Sequence, residues 1–437
     1  MIISAGNSFQ RCFTALLRFD APAVSFSLFV SAVLLYALQG SPTPDHPGIV
    51  EALVGLLLTL SALPYLPALF TGPHPKGALW YEAGKILLLA GISLPLAIGI
   101  IAGNAPSLII RDVIPFIFMM IPVLYVPLFR ERPALFKPFL LLVLIAGALS
   151  AFRAFAESFS GIAGLMALLF PSGSNELYYL ANVPTVLFSA LFLTGCALHF
   201  FTGANRLRDI VYAGICAAAA GFILLPVALT LQRASLGFFI LYTGIAFGVA
   251  LIRRPRRVLL LLPLLLAALW PLADTLHTLF QALAHKTALV GVNMRAEDAR
   301  AVWMEISGSP VSLLFGKGWG AVFTSPAAGG VSVNFTHNLP TSFLLKTGLS
   351  GLTLVLLYLY GLGRLLFTII LPQRPLLALA LAGPLLIDLT LYASFKSLDF
   401  GLVLLVIPAA CAVASEGGLL YSKRTLQHTY DEQDFRT

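Results

Sequence analysis

The chain has 437 residues, of which 59% are hydrophobic and only 11% charged, and its mean hydropathy is +0.92. Soluble domains carry roughly 45–50% apolar and about 25% charged residues, so this composition excludes an ordinary water-soluble fold and marks an integral membrane protein. The net charge of +8 gives no ground for a nucleic-acid partner, because in such a chain basic residues first record membrane topology.

Apolar runs of about 18 or more residues recur along nearly the whole chain, each long enough to cross a hydrocarbon core of roughly 30 Å as a helix. The short alternating segments of a membrane β-barrel are absent. We expect an all-α polytopic membrane protein with about twelve spans: 22–39, 48–70, 78–101, 107–128, 136–155, 178–200, 209–230, 235–252, 258–275, 339–361, 375–393 and 398–415. Pro95, Pro115, Pro122, Pro184 and Gly244 fall inside spans, where neighbouring helices can satisfy the freed backbone groups. Arg11 and Arg18 precede the first run with no small-residue cleavage site after it, which reads as a retained first helix. Cys12, Cys196, Cys216 and Cys411 lie in or beside apolar runs without CxxC spacing and are read as small hydrophobes.

Alternating from a cytoplasmic N-terminus places most Lys and Arg on one side: Arg11, Arg18, Lys76, Arg130, Arg132, Lys137, Arg206, Arg208, Arg364, Arg374, Lys423, Arg424 and Arg436, with RRPRR at 253–257. The positive-inside rule makes that side cytoplasmic and puts both termini there. The chain then divides into spans one to nine (1–275), a large outer loop (276–338) and spans ten to twelve with a cytoplasmic tail (339–437). A loop of about 60 residues is rarely structureless, and RAEDARAVWMEISG within it is a helical stretch, so this is where chemistry is expected.

Arg153, Arg233, Lys286, Arg295, Arg300, Lys317, Lys346 and Lys396 break the charge rule by falling on the outer side. Snorkelling to lipid phosphates is a sufficient reading for Lys346 or Lys396 taken singly. Arg233, Arg295 and Arg300 with His337 read instead as a site, because the arginine fork matches phosphate oxygens in two-point contact and several at one face suggest a diphosphate. Asn338 is an N-cap before Pro340. Nearby arginines disfavour the imidazolium of His337, leaving a neutral ring able to accept a proton from a hydroxyl nucleophile. There is no GxxxxGK[ST], no HExxH and no acidic pair for a metal-bound sugar nucleotide. The outer acidic residues are scattered, Glu297 and Asp298 read as helix-surface charges, and neither metal nor other cofactor is called for.

The ordered set LTLQRASLGF, ARAVW, LLFGKGWGAVF and THNLPTSFLLKTGLSGL, over about residues 225–360, resembles the O-antigen ligase and polymerase superfamily. The family pattern falls on Arg300 and Trp303, on Pro310 with Gly316, Gly318 and Gly320, and on His337 and Asn338 with Gly348 and Gly351. The family's common Ser-Arg pair stands here as Gln232-Arg233. The resemblance implies a GT-C-like membrane glycosyltransferase that takes a glycan from undecaprenyl diphosphate at the periplasmic face. As a ligase it would transfer that glycan to the lipid A core oligosaccharide, completing lipopolysaccharide by inverting, metal-independent displacement. Arg233, Arg300 and Arg295 would then hold the diphosphate, His337 would be the base, and Asp388, in LLIDLTLYASF, would orient His337 or an arginine. The alternatives are an O-antigen polymerase, a protein O-oligosaccharyltransferase and, from another class, a secondary transporter. A transporter would usually show two similar halves with broken helices at the midplane.

Overall fold

A computed structural model describes residues 20–41, 48–71, 79–157, 179–259 and 294–416, with isolated positions between 260 and 293. Most of the expected span 258–275 lies outside the described residues. So do Arg11, Cys12, Arg18, Lys76, Glu176, Lys286, Lys423, Arg424 and Arg436.

The helices are α1 (Ala21–Gln39), α2 (Ile49–Ala62), α3 (Leu79–Ile101), α4 (Pro106–Met119), α5 (Ile121–Glu131), α6 (Phe136–Glu157), α7 (Pro184–Gly203), α8 (Leu207–Leu229) and α9 (Arg233–Arg253). Then come α10 (Arg295–Ile306), α11 (Pro310–Phe315), the antiparallel strands β1 (Phe323–Ser325) and β2 (Val331–Val333), and α12 (Leu339–Leu365), α13 (Pro375–Thr390) and α14 (Leu398–Glu416). Among the described residues, eight helical stretches are long and apolar enough to cross a membrane, and Ile49–Tyr65, Pro375–Thr390 and Leu398–Val413 are shorter apolar helices. The architecture is that of an all-α polytopic membrane protein, as expected for a chain whose backbone must satisfy its own hydrogen bonds in lipid.

Side-chain contacts tie successive helix ends together and show the chain running back and forth. Arg132 pairs with Asp20 at 2.7 Å, and Arg130 lies 5.2 Å from the Tyr81 ring, so α1 and α3 start where α5 ends. At the opposite end, Arg153 donates to the carbonyls of Ala37 and Gly40, and Thr185 at the start of α7 donates to Asp399 at the start of α14. Arg153, an exception to the charge rule, thus caps the C-terminus of α1. Gly401 lets α14 settle against the break between α4 and α5, and Leu402 through Ile407 are buried on every side. The last helix therefore sits in the core, which is why it carries no polar stripe.

Prolines act in three ways. Pro184, expected inside a span, is the first residue of α7, where a missing N–H costs nothing. Ahead of Pro122 the expected span 107–128 breaks at Met120 into α4 and α5, and the Tyr358 hydroxyl donates to the Met119 carbonyl at 3.1 Å. Inside α3, Pro95 cannot donate to Gly91, whose carbonyl instead accepts from Trp319 Nε1 at 2.8 Å. Replacing Trp319 with Phe strands that buried carbonyl, at a cost of about 1–3 kcal/mol. Pro95→Ala restores an i→i−4 donor, so thermal unfolding in detergent should show the double variant Pro95→Ala/Trp319→Phe recovering part of the loss. If the two losses simply add, the indole is not substituting for the missing amide.

Candidate functional site

The site forms where the outer loop meets broken helix. A helix of 35 residues, Leu339–Gln373, would span about 52 Å, well beyond the hydrocarbon core, but it is kinked at Gly348, whose φ of +65° and ψ of −164° no helix permits. The kink leaves the carbonyls of Leu345 and Lys346 to accept from the amides of Lys317 and Gly318 at 2.9 and 3.0 Å. Trp319 N bonds Pro95 O at 3.0 Å, and Asn104 Nδ2 reaches the carbonyls of Lys317 and Trp319. The GKGWG segment is therefore wedged between α3 and α12. At Gly318, with φ +80°, a Cβ would sit 2.2 Å from Gly99 N, so only glycine passes there.

Beyond this wedge, β1 and β2 return the chain to α12. Asn338 caps that helix as expected, its Oδ1 accepting from Thr341 N at 2.9 Å. His337, one residue earlier, stands just before the start of α12 with its side chain 39% exposed, and its Nε2 lies 4.0 Å from Asp298 Oδ2. Asp298 is not the surface charge expected from sequence. On α10 it shares the inward stripe with Val302 and Ile306, is buried, and accepts from Ser325 Oγ at 2.7 Å and Ala327 N at 3.2 Å. Its neighbour Glu297 does face solvent. Burial lowers the His337 pKa from its ordinary 6.5; Asp298 pulls it up, while the positive charges of Arg295 and Lys396 push it down. Lowered below its ordinary value, the ring is neutral at pH 7, and Arg295 and Lys396 are close enough for their charges to contribute to that shift. Arg295 Nε is buried with no hydrogen-bond partner among the described residues, leaving a donor free for an anion.

A second group gathers around Lys346 and Lys396, for which the sequence offered snorkelling as a sufficient reading. Lys346 does not snorkel: it is 1% exposed, its ammonium pairs with Asp112 of α4, and it donates to the Asn334 carbonyl at 2.8 Å. The other Asp112 oxygen accepts from Gly320 N at 2.8 Å. Asp112, Trp319, Phe343, Lys346, Phe395 and Lys396 line a cavity of about 20 Å³, enough for a single water. The Lys396 pKa is pushed down to about 7, first by burial, then by the Lys346 ammonium against the pull of Asp112, with Arg111 adding repulsion. Nothing in the spacing of Arg111 and Asp112 pairs them with residues more than 200 positions away.

The sequence-identified arginines divide. Arg295 joins His337. Arg300 is exposed and lies about 200° round α10 from Asp298, turned away from the ring. Arg233 starts α9, which packs antiparallel to α13 through Phe238 against Gly383. Arg233 lies five residues before that contact and Asp388 five after it, so the two share one level at the outer end, each about 7.5 Å along its helix from the contact. Asp388 is buried, and its Oδ2 has no hydrogen-bond partner among the described residues. Among the described residues, the carboxylate paired with His337 is Asp298, 4.0 Å from its Nε2.

Lys346→Met leaves the Asp112 carboxylate buried and unpaired, and unfolding measurements should show a loss of about 3–5 kcal/mol. Asp112→Leu/Lys346→Met should regain much of it; a double variant as unstable as the single would mean that the pair itself is the source of stability. An anion bound beside Lys396 raises that lysine's depressed pKa, so its binding takes up a proton near pH 7. Calorimetry with pyrophosphate in buffers of different ionisation enthalpy should show uptake in the wild type and none in Lys396→Met. In comparisons with family models, curated proteins and solved structures, the chain matches none.

Proposed function

We propose that the protein is a membrane glycosyltransferase that moves a glycan from a polyprenyl diphosphate carrier to a hydroxyl acceptor at the membrane face opposite the basic helix ends. The acceptor we assign is lipid A core oligosaccharide, as in an O-antigen ligase. One observation carries the chemistry: a neutral, partly exposed His337, with Asp298 4.0 Å away, shares its surroundings with the cations Arg295 and Lys396. A neutral imidazole among cations is the arrangement needed to deprotonate a hydroxyl while an anion leaves nearby.

In this reading the acceptor oxygen forms a bond to the anomeric carbon from the side opposite the carrier. The carbon–oxygen bond to the diphosphate breaks, and its electron pair leaves with the phosphate. Arg295 and Lys396 meet the growing negative charge, and His337 takes the hydroxyl proton. Asp298 favours the imidazolium that results. Arg233 is assigned to the carrier at the α9–α13 level, where the lipid chain would enter. The identity of the acceptor rests on the resemblance carried by Arg300, Trp303, Gly316, Gly318, Gly320, His337 and Asn338.

The test is glycan transfer by purified protein from undecaprenyl diphosphate-linked glycan to lipid A core, with a chelator present. General-base catalysis contributes about 10²–10⁴-fold, so His337→Ala should lower kcat by that factor with donor binding little changed. Because the folded pKa of His337 is depressed, the acid limb of kcat/KM should lie below pH 6.5 and should vanish in His337→Ala. Undiminished transfer by that variant would remove His337 from the chemistry. Transfer only onto a second lipid-linked glycan would make the protein a polymerase, and transfer only onto Ser or Thr a protein glycosyltransferase.

A further inference from the structure

A second cavity, of about 210 Å³, opens at the basic end of the bundle between the last turns of α7 and α9 and the start of α13. Its polarity is graded. Leu198, Ala246 and Val249 form an apolar floor, and His199, Arg253 and Arg254 stand at the rim. Ala246 and Arg253 are seven residues apart on one helix, so the step from floor to rim is about 10 Å. Next to the cavity, Arg257 NH1 donates to the carbonyls of Thr202, which lines it, and Ala204, both at 2.7 Å. Those are the terminal carbonyls of α7, the negative end of its dipole, and covering them removes the main source of repulsion for an anion at the rim. Among the described residues, no carboxylate lines the cavity. The nearest acidic residue in sequence, Asp209, accepts the amides of Asn205 and Arg206. Among the described residues, α9 is the least covered of the eight long helices, and Ile252 beside the rim is 85% exposed.

We propose that this cavity binds the headgroup of an anionic phospholipid, its phosphate between Arg253 and Arg254 and its first acyl carbons on Leu198, Ala246 and Val249. The volume is below the roughly 300–1,000 Å³ of sites that enclose a drug-sized ligand, so it suits a phosphoglycerol and not a sugar nucleotide. Basic recesses between membrane helices at the positively charged face take acidic headgroups for the same reasons. The site lies at the opposite end from His337 and does not depend on the transferase reading.

The experiment uses the full chain, purified in mild detergent and placed in phosphatidylcholine bilayers containing phosphatidylglycerol, with lipid retention read by native mass spectrometry after extraction. Wild type should keep phosphatidylglycerol over phosphatidylcholine. Arg253→Gln/Arg254→Gln should weaken retention about 10- to 30-fold, since each charge near the surface contributes roughly three- to five-fold. Val249→Trp, which fills the cavity and leaves both arginines, should weaken it as well, and millimolar inorganic phosphate should not displace the lipid. Equal retention of the two lipids, or unchanged retention in either variant, would overturn the proposal. Displacement by inorganic phosphate would likewise overturn it, by showing a free-anion site.

Discussion

The buried pair of Lys346 and Asp112 is the interaction on which the outer half of the molecule depends. An isolated charge at this depth is expensive, and even a pair is kept only when its remaining donors and acceptors are matched. Here they are: one Asp112 oxygen faces the ammonium, the other takes Gly320 N, and Lys346 also reaches Asn334 O. Four stretches of chain meet at that point, namely α4, α12, the end of the GKGWG wedge and the segment leading to His337. Stability alone does not explain such a choice, since apolar side chains would fill the space at lower cost. Its consequence is register: it fixes where Asn334, and three residues later His337, stands over the membrane helices.

Around this pair the helices are deliberately imperfect. Pro95 and Gly348 each expose backbone acceptors, and the loop from Lys317 to Trp319 supplies the donors. The defects and the loop therefore fit each other, and neither would be tolerated facing lipid. The arrangement lets polar backbone and charged side chains enter a bundle that is otherwise sealed by Leu, Val and Phe, and it concentrates them beside His337. A functional reading gains from this, because groups held by several independent hydrogen bonds keep their positions when a charged substrate arrives.

The two ends of the bundle use cations differently. At one end Arg253, Arg254 and their neighbours stand in solvent and at a cavity mouth, placed by topology and free to meet acidic lipid. At the other, Lys346 is paired, Lys396 is half-buried and held near its neutral form, and Arg295 keeps a buried, unmatched donor. The first set records which side of the membrane it occupies. The second is constrained by packing, and a constrained cation responds strongly to an incoming anion.

The sequence by itself determined the membrane class, the path of most spans and the junction at His337 and Asn338, because each of these is local. A run of about 20 apolar residues has no other stable form in lipid, and Asn before Leu-Pro at a polar-to-apolar boundary caps a helix wherever it lies. The helical stretch from Arg295 was legible for the same reason. Tertiary structure alone decided that Asp298 turns inward to His337, that Lys346 finds Asp112, that Asp388 is buried, and that Arg300 faces out. Those outcomes depend on which faces of distant helices meet. Helical periodicity states that two residues share a face, but only packing states what that face touches.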